Sequence, residues 1–239
     1  MSQAALDFGI EVETAKPRQK DIYIIGGITA TTVAVLITFA IIAFFIWPYK
    51  PGFASAQSIF ETLQKDRLGG LIALDLPMLV ITPLNLLLYL AMYMALKRVN
   101  ATYALIALIL SLMAVVLLIP TRPLVELVTL SNSYAVATTQ AARSQYLAAG
   151  EALLALFGGT AWMMASFFFP LAGLINSLLM LRTPLFHKAT AYVGLGVCLV
   201  GLGFFLPAVG VGLLFLNTVG SVVWLGLMAR DFFRLGRQS

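Results

Sequence analysis

The sequence predicts an all-α, polytopic membrane protein: a bundle of six transmembrane helices with amphipathic helices in its outer loops. Three observations carry that prediction. Of the 239 residues, 61% are hydrophobic and 10% charged, against about half and about a quarter in soluble globular domains. The mean hydropathy is +0.96, which excludes both a water-soluble single domain and a disordered chain, because so much Leu, Ile, Val and Phe cannot stay hydrated. The apolar residues also fall into six runs, each able to supply the ~20 residues with which a helix crosses a hydrocarbon core at ~1.5 Å per residue.

Residues 1–21 read as a polar cytoplasmic tail, with Asp7, Glu11 and Glu13 followed by Lys16, Arg18 and Lys20. The first apolar run, 22–47, exceeds the ~7–15-residue core of a cleaved signal and reads as a retained anchor. Ala54-Ser55-Ala56 resembles a cleavage site only superficially. Tyr23 at one end of this run, and Trp47 with Tyr49 at the other, suit interfacial aromatic belts. Further spans are expected over 71–96, 101–119, 151–181, 189–206 and 210–229, with 230–239 as a basic cytoplasmic C-terminus. The tight turn at 206–209 makes the last two spans a helical hairpin.

Ten of the fifteen Lys and Arg lie in the tail, the 97–100 turn, the 182–188 loop and the C-terminus. Short cytoplasmic loops are enriched in these residues, so both termini should be inside and the long loops 48–70 and 120–150 outside. In the first outer loop Phe53, Ile59, Phe60 and Leu63 alternate with Gln57, Glu61, Lys65 and Arg67 at the spacing of an amphipathic helix lying on the membrane surface. The second has Arg122 and Glu126 at i,i+4, then Ser131-Asn132-Ser133-Tyr134, then an Ala-rich helix through Arg143 and Tyr146. The two loops are expected either to form an extracytoplasmic cap or to remain solvated connectors.

The net charge of +5 comes from basic residues at segment ends rather than on one face, which argues against a nucleic-acid partner. Cys198 is the single cysteine and His187 the single histidine. No intramolecular disulfide, Cys-based metal site or bis-His haem can be built, so no metal or cofactor is expected. Small residues recur at seven, as in Gly194 and Gly201, Gly196 and Gly203, and Gly203 and Gly210. They also line 27, 31, 34 and 38 on the first span, and 159, 166 and 173 on the fourth. Such stripes let helix backbones approach, within one chain or between copies, and they read as helix–helix faces rather than phosphate loops.

The intramembrane acid is Asp75, about one turn inside the outer end of the second span. A carboxylate at mid-bilayer costs about 2.5–3.5 kcal/mol, so it should face a partner or a cavity. Asp75, Thr82 and Tyr89 recur at seven with Asn85 beside them. Pro77 and Pro83 are expected to free the carbonyls of Ala73 and Leu79, in the manner of a discontinuous, cavity-lining helix. Asn176 and Ser166 on the fourth span, and Asn217, Thr218 and Ser221 on the sixth, could complete one polar pocket or merely hydrogen-bond between helices. Candidate ligand-binding residues are therefore Asp75, Thr82, Asn85, Tyr89, Asn176 and Asn217. Catalysis is poorly supplied: there is no G-x-S-x-G, no H-E-x-x-H and no second intramembrane acid for an aspartyl mechanism.

Residues 68–100, with their Gly69-Gly70 start, Asp75, apolar run and terminal Lys97-Arg98-Val99-Asn100, and again residues 143–182, resemble the bacterial membrane proteins catalogued as domain of unknown function 4386. The resemblance covers most of 20–235. It implies a six-helix bundle in a bacterial inner membrane and brings no activity, cofactor or catalytic residue with it. Two readings remain. One is a non-enzymatic bundle that associates with membrane lipids, other membrane proteins or itself. The other is a carrier or receptor whose small ligand binds near Asp75.

Overall fold

The computed structural model describes residues 19–46 and 54–238. The polar tail through residue 18, the belt residues Trp47 and Tyr49, and Phe53 lie outside the described residues. Ten α-helices follow in order: α1 Gln19–Ile46, α2 Ala56–Lys65, α3 Arg67–Ala73, α4 Leu76–Leu96, α5 Ala101–Leu118, α6 Leu124–Val136, α7 Gln140–Leu154, α8 Thr160–Leu181, α9 Lys188–Leu202 and α10 Gly210–Gln238. No strand forms among the described residues. Six helical stretches are long and apolar enough to cross a membrane, and α1, α4, α5, α8, α9 and α10 lie in them. The protein is a multi-pass membrane protein.

The six long helices pack as a closed ring in chain order, with α10 returning to pack along α1. The ring interior is filled by Val33 of α1, Leu88 and Met92 of α4, Met180 of α8, Ala191 of α9, and Met228 and Phe232 of α10. Close approach of backbones makes this core possible. A Cβ on Gly194 would stand 2.4 Å from Ser177 Oγ and 2.5 Å from Trp224 Nε1, and one on Gly201 would stand 2.8 Å from Asn217 Nδ2. The Gly194 and Gly201 face of α9 is thus a helix–helix contact.

Other parts of the small-residue pattern are used differently. Gly196 has nothing within 4 Å of its Cβ position, so it belongs to no contact face. On α1, Thr31 and Thr38 are exposed and donate to their own helix at Gly27 and Ala34, 2.9 and 2.8 Å away. The face of α1 that packs carries Tyr23, Gly26, Ala30 and Val33, flanked by Gly27 and Ala34 of the expected stripe, so half of that stripe is a contact face. Gly210 closes the hairpin turn, where a Cβ would fall 2.0 Å from the Phe204 carbonyl oxygen.

Three helix limits differ from those expected. The second spanning helix starts at Leu76 rather than 71, because Asp75 takes a left-handed conformation that ends α3. The fourth starts at Thr160, since Gly159 is extended and residues 151–154 finish α7. The sixth helix runs past 229, so that residues 230–238 form the last turns of α10. Phe232 and Leu235 continue the helical spacing of Met228 and stay buried beyond residue 229.

The outer-loop helices form a cap with its own core rather than hanging as solvated connectors. Ile59, Phe60 and Leu63 of α2 are buried against Leu124 and Leu127 of α6, Leu154 of α7, and Phe157. Polar groups lock the arrangement: Glu151 accepts the Ala56 N–H at 2.7 Å, Ser131 Oγ donates to the Phe60 carbonyl at 3.0 Å, and Gln64 donates to the Ser131 carbonyl at 2.9 Å.

Candidate functional site

Asp75 stands where the cap meets the bundle. The last turn of α3 closes with Leu74 N–H on Gly70 O and Asp75 N–H on Ile72 O, both 3.0 Å. Asp75 then takes φ 71° and ψ 36°, a region that Asp tolerates better than most residues. Its carbonyl accepts from Met78 N–H at 2.9 Å and starts α4. Pro77 falls in the first turn of α4, where no intrahelical donor is needed. It therefore does not open the α4 ladder at Ala73 as expected. Pro83 sits inside an unbroken α4.

The Asp75 carboxylate has a direct partner. Arg122, in the turn after α5, donates Nε–H to Asp75 Oδ2 at 2.9 Å. Its Nη1 is held by the Thr121 hydroxyl at 2.8 Å and carbonyl at 3.2 Å, and its guanidinium lies 5.0 Å from the centre of the Phe157 ring. The Arg122 side chain is 7% exposed and that of Asp75 27%, so the pair is partly shielded from water. The expected i,i+4 pairing of Arg122 with Glu126 is not made: Pro123 interrupts the helix between them, and Glu126 is exposed. Beside the pair, a groove of about 360 Å³ runs between cap and bundle, lined by apolar side chains with Arg122 and Glu126.

The other candidate residues do not converge on Asp75. Tyr89 lies fourteen residues further along the chain, which is about 21 Å of helix rise, and it stacks on Phe169 with ring centroids 5.8 Å apart. Thr82 is buried and donates to the Met78 carbonyl at 2.7 Å. Asn85 is half-buried on the same helix, and Asn176 is buried in α8. Asn217 donates to the Val197 carbonyl at 2.8 Å, tying α10 to α9. Thr218 and Ser221 donate to carbonyls of their own helix, Leu214 and Asn217. These groups support helix geometry and contacts at several depths rather than one pocket.

A second polar centre, at the end of the bundle where α1 begins and α10 finishes, was not legible as such in the sequence. Asp231 of α10 is fully buried. It accepts from Thr190 Oγ1 at 2.6 Å, from the His187 N–H at 3.0 Å and from His187 Nδ1. Arg230 Nη2 lies 3.4 Å away. Arg234 in turn places Nη1 2.9 Å from His187 Nε2 and donates Nη2 to the Leu185 carbonyl at 2.5 Å. Arg234 Nη1 is also 3.1 Å from His187 Nδ1, so it lies against the imidazole ring rather than on the axis of one nitrogen. The Asp–His couple is thus directed at an arginine and not at a nucleophile. The signal that could have revealed it is the run Met228, Phe232, Leu235, which continues the buried face past Arg230 and carries Asp231 inward.

No protein-family model, curated protein or solved structure matches the chain.

Proposed function

We propose that the protein is a non-enzymatic membrane bundle that works by association, with bilayer lipids or with other membrane proteins. We further place it in a bacterial inner membrane with both termini in the cytoplasm. The resemblance to domain of unknown function 4386 agrees with this reading and adds no chemistry to it. The observation that carries the reading is the occupied carboxylate of Asp75. A carrier or receptor for a cationic or proton-coupled ligand needs that group facing a polar cavity, whereas here it is held by Arg122, 47 residues away in the chain. The buried Asp231 is likewise saturated by Thr190 and His187.

Thermal unfolding of the purified protein in detergent, against a panel of small cationic, anionic and neutral solutes, tests the first claim. The expected result is no saturable shift from any solute and a clear shift from added phospholipid. A saturable shift by a small solute that disappears in Asp75→Asn would overturn the proposal in favour of a carrier. Orientation is tested in a Cys198→Ala background carrying single cysteines at Thr138, between α6 and α7, and at Gln238. Impermeant thiol reagents added to intact cells should label the first and spare the second; labelling of both sinks the topology.

A further inference from the structure

We infer that the basic face of α10, at the end of the bundle where α1 begins and α10 finishes, is a binding site for the phosphate-bearing headgroup of an anionic phospholipid. This deepens the association reading above by naming the lipid class and its site. The argument begins with length. Between Gly210 and Ala229 the helix holds twenty residues without a charge, about 30 Å of rise and the thickness of a hydrocarbon core. Arg230 is therefore the first side chain at the level of the lipid phosphates, and Arg234 and Arg237 follow at i+4 and i+7 on the same helix face.

These three arginines, with Phe233 and Gln238, line a concavity of about 450 Å³, within the range of small-molecule sites. Its chemistry is one-sided. Like charges at this spacing repel, and the nearest acid offsets one of the three at most: Asp231 is fully buried, accepts from Thr190 and His187, and has only Arg230 of the three within ion-pair distance, at 3.4 Å. At this end of the bundle the described residues include eight Lys and Arg and, apart from Asp231, only Asp21 as an acid. Arg234 is fixed by His187 and the Leu185 carbonyl, so it is a rigid wall. The Arg230 side chain, although its Nη2 lies 3.4 Å from Asp231 Oδ1, is 51% exposed, and Arg237 is exposed, so both present N–H donors to phosphate oxygens. Phe233 packs where Gly27 leaves room, its ring 2.9 Å from the position a Cβ would take there, and gives the site an apolar floor continuous with the acyl region. A planar, multi-donor guanidinium suits a phosphate better than an ammonium does, and basic pockets at this membrane level favour anionic headgroups.

Native mass spectrometry of the whole chain in mixed micelles, titrated separately with phosphatidylglycerol and phosphatidylcholine, tests the site. Wild type should retain phosphatidylglycerol at least about 25-fold more tightly, and each of Arg230→Gln and Arg237→Gln should remove about fivefold of that preference. Lys65→Gln at the cap end is the control and should change nothing. The unfolding temperature of Arg237→Gln measured without added lipid should stay at the wild-type value, which separates binding from folding. Equal retention of the two lipids, or a preference that survives both substitutions, overturns the inference while leaving the non-enzymatic reading intact. Displacement of the lipid by soluble glycerol phosphate at matched concentration overturns the lipid assignment in favour of a free phosphate ligand. A small-solute ligand at Asp75 overturns the association reading without touching this face.

Discussion

Replacing Asp75 in three ways separates its charge from its backbone. Asn keeps the side-chain acceptor and tolerates a left-handed conformation, Gly removes the side chain and relaxes the backbone, and Ala removes the acceptor while keeping a Cβ at φ 71°. Losing one partner of a buried ion pair costs about 3–5 kcal/mol, but the Asp75 side chain is 27% exposed, which brings the expected loss for the missing acceptor to about 2–3 kcal/mol. A left-handed Ala adds about 1 kcal/mol. Because Asn still accepts from Arg122, it should lose only about 1–2 kcal/mol. The expected order of destabilisation is therefore Asn, then Gly at about 2, then Ala at about 3–4 kcal/mol. Equilibrium unfolding in mixed detergent and SDS micelles reads these differences, and a double-mutant cycle of Asp75→Asn with Arg122→Gln should return a coupling of about 1–2 kcal/mol. Equal losses for Gly and Ala would refute the strained-turn argument, and zero coupling would refute the ion pair as the support of the cap.

Two further outcomes follow from buried features. Asp231→Ala should cost about 3–5 kcal/mol, since a fully buried acceptor is removed from Thr190 and His187, and hydrogen exchange at residues 187–190 should accelerate. Wild-type exchange in that variant would mean that the network does not hold the start of α9. Gly194→Ala should destabilise by about 1–3 kcal/mol through overpacking against Ser177 and Trp224, whereas Gly196→Ala, with open space around it, should be neutral or stabilising by up to about 1 kcal/mol; identical melting of the two would argue against the close α8–α9–α10 contact.

Hydropathy made the six spans legible, because a helix that faces lipid is apolar all round and announces itself without any knowledge of its neighbours. The amphipathic spacing of Ile59, Phe60 and Leu63 also announced α2, although a water-facing and a cap-facing helix share that pattern, and only the partners on α6 and α7 decide between them. Asp75 stood out as an acid among apolar residues, yet its partner could not be read: Arg122 reaches it through the fold, and a sequence neighbour, Glu126, competed for the assignment. Pro77 carried two meanings, a kink within a helix or the first turn of a new one, and the left-handed Asp75 selected the second. Asp231 was hidden by its company. Flanked by Arg230 and Arg234, it looks like part of a solvated basic end, and nothing local shows that the helix turns it towards Thr190.

The ring of six helices closes only through the contact of α1 with α10, and this sets an order on assembly during synthesis. Among these six spans a ribosome delivers α1 before the other five and α10 after them, so the α1 face formed by Tyr23, Gly26, Ala30 and Val33 waits through the synthesis of the four spans between for its α10 partner. Helices inserted one at a time associate afterwards in the bilayer, and α4 is the only early neighbour with which α1 packs extensively. A nascent chain stalled before α10 would leave this small-residue groove open to any passing helix. The same would hold for Thr190 and the His187 backbone, whose acceptor arrives with Asp231. Completion of the last span is thus the step that commits the bundle, and a membrane protease or insertase that surveys unfinished chains would find its signal on α1.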